Sequence, residues 1–165
     1  MGGLSRFNSL AVADAEGELL ACCAAPAWAR EVVAGRPYRD RESLLAAANA
    51  ALDRLDWAEI EAALAAHPRM GQPPAGADRS AAWSRREQAG VATADPSTRA
   101  ALAEANRAYE ERFGHVFLIF ASGRTDAEVL TAARERLDND VATERRAVRA
   151  ELTKIALLRL ERLLA

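Results

Sequence analysis

The sequence predicts an all-α fold: a single compact domain of about eight helices with one short buried apolar segment. Three observations predict it. Ala, Leu, Arg and Glu dominate the 165 residues, and these side chains lose little freedom on entering a helix. Half of the chain is apolar but only 5% is aromatic, so a disordered chain is excluded and the core is expected to be built mainly of Ala and Leu. Caps, prolines and glycines recur at intervals suited to short helices, and the length suits one domain over residues 1–165 better than two.

Taken in order, Asn8 can cap a first helix, and Pro26 opens a turn or short helix through Trp28 that stops at Gly35. Asp40 caps a run from Arg41 to about Leu55. Asp56-Trp-Ala-Glu59 reads as a capping box for a helix ending near Ala66. Between Pro68 and Asp78 stand Pro73, Pro74, Gly71 and Gly76, which predict a loop. A short helix follows from about Ser80 to Gln88, stopped by Gly90. Asp95-Pro96 starts a helix that runs to Phe113 and ends at Gly114. Val116 to Ala121, "VFLIFA", is either a buried extended segment or a buried helical turn. Thr125-Asp-Ala-Glu128 is a second capping box, and Asp140 or Thr143 starts a long last helix.

Several function classes are set aside by composition. Net charge is −2 with acids and bases interspersed, so no basic field exists to hold nucleic acid. No apolar run approaches a membrane span, and the residues at either end suit neither a leader nor an address, so no targeting segment is expected. Cys22 and Cys23 are adjacent, which disfavours a disulfide between them and suits free thiols in a reducing cytoplasm, packed as small buried residues. Two distant histidines and two neighbouring thiols do not make a zinc site, so no metal is expected.

Three features could carry chemistry. His67 precedes a proline and so must lie at or just past a helix end. There the helix field favours its protonated form, and it can act as a proton donor. It can equally just satisfy the last carbonyls of its helix. In "WSRREQAG", Ser84, Glu87 and Gln88 fall at i, i+3 and i+4, and their shared face is either a binding surface or an ordinary solvated one. On the last helix Val148, Leu152, Ile155 and Leu163 form one stripe, with Arg159 in the middle of it. That arginine either reaches the rim or is held inside by a carboxylate or an anionic ligand. Arg149 and Arg162 read as surface charges and His115 as structural.

These residues stand in four ordered motifs: "AHPRMG", "WSRREQAG", "NRAYEERFGHVFLIFASGR" and "ELTKIALLRLERL". Together they resemble the 2-oxo-4-hydroxy-4-carboxy-5-ureidoimidazoline (OHCU) decarboxylases of urate breakdown. That family carries HPRIG, S-x-x-E-Q, N-x-x-Y-x-x-x-F-G and K-I-x-x-x-R-L in the same order. The opening "FNSLAVADAEGELLACCAAPAWA", with "GRPY" after it, is similar too, so the resemblance covers nearly the whole chain. Met70 replaces the more usual isoleucine or leucine, a near volume-conserving change.

The resemblance implies a carboxy-lyase that releases CO₂ from OHCU to give (S)-allantoin, without metal or organic cofactor. It further implies a homodimer and, in a bacterial single-domain form, a cytoplasmic location. It makes His67 the proton-transfer residue, with Glu87 and Arg159 as its catalytic companions and Pro68 shaping the pocket. Ser84, Arg85, Arg86, Glu87 and Gln88 would hold the substrate, together with Arg159 and the backbone of Phe117, Leu118, Ile119, Phe120 and Ala121. If the "FLIFA" segment is irregular, its peptide groups need partners, and a planar, amide-rich substrate supplies them. Two other classes fit the residues less fully: a non-catalytic helical module that binds a ureide or purine product, and a helical scaffold.

Overall fold

Local start and stop signals resolve into ten helices among the described residues of the computed structural model, which are 2–72, 76, 78–92 and 95–165. Pro73 and Pro74, central to the expected loop before Asp78, lie outside the described residues. The helices are α1 (Gly3–Ser9), α2 (Val12–Cys22), α3 (Pro26–Ala34), α4 (Arg41–Asp53), α5 (Trp57–Leu64), α6 (Arg79–Glu87), α7 (Ala89–Ala92), α8 (Pro96–Phe113), α9 (Asp126–Arg136) and α10 (Val141–Leu164). The all-α expectation holds, and the two helices beyond the expected eight are α1 and α7.

The chain divides into two compact units, one made of Met1–Ala63 with Leu152–Ala165 and the other of Leu64–Glu151. In the first, α2 packs on α3 and α3 on α4. Its buried side chains include Phe7, Leu19, Trp28, Leu44 and Leu52. Trp28 buries its ring and still satisfies its indole N–H, which donates to the Ala48 carbonyl at 3.0 Å. Asp40 caps α4 by accepting from the Ser43 N–H at 2.7 Å. The Asp56–Glu59 box forms in both directions, at 2.8 and 3.0 Å. Asn8 departs from expectation. It is the penultimate residue of α1 and caps nothing. Its side-chain amide donates to the Tyr38 carbonyl at 2.9 Å and accepts from the Tyr38 N–H at 2.9 Å. An amide side chain offers the same donor and acceptor pair as a peptide group, so it serves here as a bridge to a distant turn.

The second unit has an apolar cluster of Met70, Val91, Leu102, Tyr109, Phe117, Ile119, Ala121, Val129 and Ala133. Helix α8 packs on α9, and α7 on both α6 and α9. Asp95 and Thr125 cap α8 and α9 as read from the sequence, and Asp140 rather than Thr143 caps α10, accepting from the Thr143 N–H at 2.7 Å. Gly90 does not stop a helix; it lies inside α7. A Cβ on Gly90 would stand 2.2 Å from the Arg124 carbonyl oxygen, so only glycine lets α7 lie this close to the turn before α9.

Along α10 the stripe of Val148, Leu152, Ile155 and Leu163 is buried as expected. Arg149 and Arg162 are both partly buried, so neither is the plain surface charge that its position suggested. No helix among the described residues is long and apolar enough to cross a membrane.

Candidate active site

Proline at 68 sets the geometry of His67. It bars the residue before it from the α region, and α5 ends at Leu64, two residues earlier than its apolar pattern suggested. The His67 N–H then turns back to donate to the Leu64 carbonyl at 3.0 Å, and the residue sits partly buried just past the helix end.

Helix α6 buries Ser84 and Glu87, at 4% and 6% exposure, beside Ala81 and Trp83, so the solvated-face reading fails. Gln88 follows as the C-cap, half-buried, and its Oε1 accepts from the Gly71 N–H at 2.9 Å. That bond ties the loop behind His67 to the end of α6. Arg85 and Arg86, which the resemblance grouped with these residues, are exposed. They stand one and two positions after Ser84 and so turn to the outer face of the helix. Arg85 reaches the Gly76 carbonyl at 3.1 Å.

Residues 117–121 form neither a helical turn nor a paired strand. Phe117, Leu118, Ile119 and Ala121 are buried, and Phe120 is partly so. Side chains stand in for a ladder. Arg136 donates from Nη1 to the Leu118 carbonyl at 2.5 Å, the Phe120 N–H donates to Glu151 at 3.3 Å, and Arg124 donates from Nε to the Phe120 carbonyl at 3.0 Å. Between these tethers the peptide N–H and C=O of Ile119 make no hydrogen bond among the described residues. Met70, from the loop after His67, shares one apolar cluster with Phe117, Ile119 and Ala121. His67, the inner face of α6 and the 117–121 segment thus belong to one unit.

Arg159 belongs to the other unit. It is 3% exposed within its leucine stripe and donates from Nη1 to the Ala21 carbonyl at 3.2 Å. The nearby Cys23 is no nucleophile: burial pushes its thiol up to about 12, against the opposing pull of the Arg159 charge. Among the described residues no three His, Cys, Asp or Glu side chains gather as a metal site would.

Sequence reasoning missed the polar core behind the 117–121 segment. Glu144 is fully buried and takes Arg136 from Nε at 2.9 Å and from Nη2 at 2.5 Å, the Tyr109 hydroxyl at 2.5 Å and Asn139 Nδ2 at 3.0 Å. Arg136 therefore joins a buried carboxylate to the Leu118 carbonyl. Burial, reinforced by the Glu144 charge, raises the Tyr109 pKa, so the phenol stays a donor. His115 lies edge-on to Tyr109 with ring centroids 5.5 Å apart, in line with a structural role. The signal was the N-x-x-Y-x-x-x-F-G motif itself, in which both Asn106 and Tyr109 prove to be buried polar anchors.

A family model described as OHCU decarboxylase matches residues 8–161. The chain is 33% identical over 161 residues to the uric acid degradation bifunctional protein TTL of Arabidopsis thaliana, covering 93% of this chain and 48% of that protein. It is 34% identical over 138 residues to the 2-oxo-4-hydroxy-4-carboxy-5-ureidoimidazoline decarboxylase of Amia calva, covering 82% and 79%. The chain therefore spans about half of the plant relative and most of the fish one. The crystal structure of an OHCU decarboxylase in the presence of (S)-allantoin has the same fold, with a TM-score of 0.76 at 30% identity, covering 89% of this chain and 96% of that one. With the match running through both units, over the first three motifs and into the fourth as far as Glu161, the chain belongs to the OHCU decarboxylase family.

Proposed function

We propose that this chain, as one decarboxylase domain over residues 1–165, converts OHCU to (S)-allantoin in urate breakdown without a cofactor. The observation that carries the reading is the Ile119 peptide: a donor and an acceptor, buried, with tethers on both sides and no hydrogen bond among the described residues. Such groups cost free energy unless a ligand pairs with them. A planar ureide ring offers the matching N–H and C=O edges.

Loss of CO₂ leaves an electron pair on carbon, and the conjugated imidazoline ring takes it up. The protein's task is to hold the carboxylate out of the ring plane and to stabilise the charge that enters the ring. His67 exchanges a proton with the substrate hydroxyl or with the carbon that is reprotonated. Ser84 and Gln88 bind ureide polar groups, Glu87 orients His67 or the ureido nitrogens, and Pro68 shapes the wall. The share of Arg159, fixing a substrate oxygen bidentately, rests on its place in the K-I-x-x-x-R-L motif. Proton delivery to one face yields a single enantiomer. The exposed Arg85 and Arg86 contribute through position on α6 rather than through their guanidinium groups. By the same resemblance the enzyme is a cytoplasmic homodimer.

The test generates OHCU in situ from urate with uricase and the upstream hydrolase, and follows (S)-allantoin by circular dichroism. The protein should accelerate its appearance, and His67→Asn should lower turnover about 10²–10³-fold, as loss of one preorganised polar contact does, with its helical spectrum unchanged. Absence of acceleration sinks the assignment, and allantoin binding without turnover would point instead to a binding module. A wild-type rate for His67→Asn would overturn the proton-transfer role.

A further inference from the structure

Three residues of α8 spaced four apart meet three successive residues of the loop behind His67, in reverse order. Leu102 lies against Gly71, its Cδ2 3.1 Å from where a Cβ would stand. Asn106 Nδ2 donates to the Met70 carbonyl at 2.8 Å. Glu110 takes the Arg69 guanidinium through Nε at 2.7 Å and Nη2 at 3.3 Å. Residues four apart form one row on a helix, so this row fixes the register of 69–71. From the other side Gln88 holds the Gly71 N–H, and Gly71 takes φ 87°, which glycine adopts without strain. His67 is joined to this clamped stretch by Pro68, whose ring stiffens the link.

The three contacts are not equivalent. The Arg69–Glu110 pair stands at the surface, where solvent screens it. The Leu102 contact is apolar and has no direction. Asn106 alone is both buried, at 4% exposure, and directional. Its Oδ1 has no donor among the described residues. A buried amide with one half open is a poor device for stability, whereas its other half fixes one carbonyl of the loop that carries the imidazole.

We infer that Asn106 is a positioning residue for His67, holding the Met70 carbonyl so that the loop keeps the register that presents the imidazole for proton transfer. The inference rests on the proton-transfer reading of His67, and the experiment separates the two. Wild type, Asn106→Leu, Asn106→Asp and His67→Asn are compared in the coupled dichroism assay, with thermal unfolding alongside. Asn106→Leu keeps the volume and loses the bond. Its Tm should stay within a few degrees of wild type, while kcat falls at least about 10-fold, since small misplacements of a reacting group cost up to about 10²-fold; KM should move far less. Asn106→Asp cannot donate as a carboxylate but can as an acid, so its kcat relative to wild type should rise as pH is lowered. Wild-type kcat for Asn106→Leu beside an inactive His67→Asn overturns the positioning role alone. An active His67→Asn overturns the reading beneath it. If Asn106→Leu does not fold, a pH-independent ratio for Asn106→Asp overturns the inference by itself.

Discussion

Removing the Tyr109 hydroxyl tests whether the buried carboxylate organises the second unit. Glu144 is fully buried and has four donor contacts among the described residues, of which the Tyr109 hydroxyl at 2.5 Å is one. Tyr109→Phe keeps the ring, which packs edge-on to Phe117 with centroids 5.4 Å apart, and deletes that donor only. A hydrogen bond to a charged group contributes about 1.5–3 kcal/mol. At about 2–4 °C per kcal/mol for a domain of this size, Tm should fall by about 3–12 °C. The sign with pH follows from the direction of the shift. The folded-state pKa of Tyr109 is raised above its ordinary 10.0, so its contribution is fully present below that pH and is lost as pH rises beyond it. The Tm gap between wild type and variant, read from the helical dichroism signal, should therefore hold steady from neutral pH toward 10 and shrink above it. A variant that melts with wild type at neutral pH would refute the reasoning.

Gly90→Ala puts a Cβ 2.2 Å from the Arg124 carbonyl oxygen, a backbone atom that cannot swing aside. Overpacking of this kind costs about 1–3 kcal/mol, and an unchanged Tm would show that α7 does not lie so close. Hydrogen bonds from Ser43, Thr98 and Thr143 hold the Asp40, Asp95 and Asp140 carboxyls below their ordinary value of 3.8. Their contribution is present above that value and is lost as pH falls through and below it. Asn still caps a helix but has no proton to take up in this range, so a triple Asp→Asn variant should show a flatter Tm profile at acid pH; a parallel fall would refute the assignment.

Most helix boundaries were legible because their causes are local. Asp40, the Asp56–Glu59 box, Asp95-Pro96 and the Thr125–Glu128 box each act within three residues, and the structure forms every one of these bonds. Asn8 and Gly90 were misread because what they answer to is remote in sequence: a turn at Tyr38 and a carbonyl at Arg124. The same distinction runs through the site. Pro68 announces the position of His67, and helical spacing gathers Ser84, Glu87 and Gln88. No spacing rule shows that Glu144 is buried, that Arg136 serves the Leu118 carbonyl, or that Asn106 serves that of Met70. Those are long-range pairings.

An all-helical protein that is to bind an amide-rich ring, as proposed for this chain, faces a shortage of its own making. Every helix interior consumes its N–H and C=O groups along its own axis, and only the ends leave groups over. A buried irregular stretch escapes this, at the risk of unpaired polar groups and of collapse into another conformation. The 117–121 segment meets the second risk with charged tethers: Arg136 at Leu118, and Glu151 and Arg124 at Phe120. A buried ion pair such as Arg136–Glu144 adds little net stability compared with apolar packing. Its physical consequence is directional, because it aims a guanidinium at one carbonyl, beside a residue whose peptide groups have no hydrogen bond among the described residues. On this account the buried charges of the second unit and the open Ile119 peptide are one arrangement: the first fix the backbone, and the second is the surface that results.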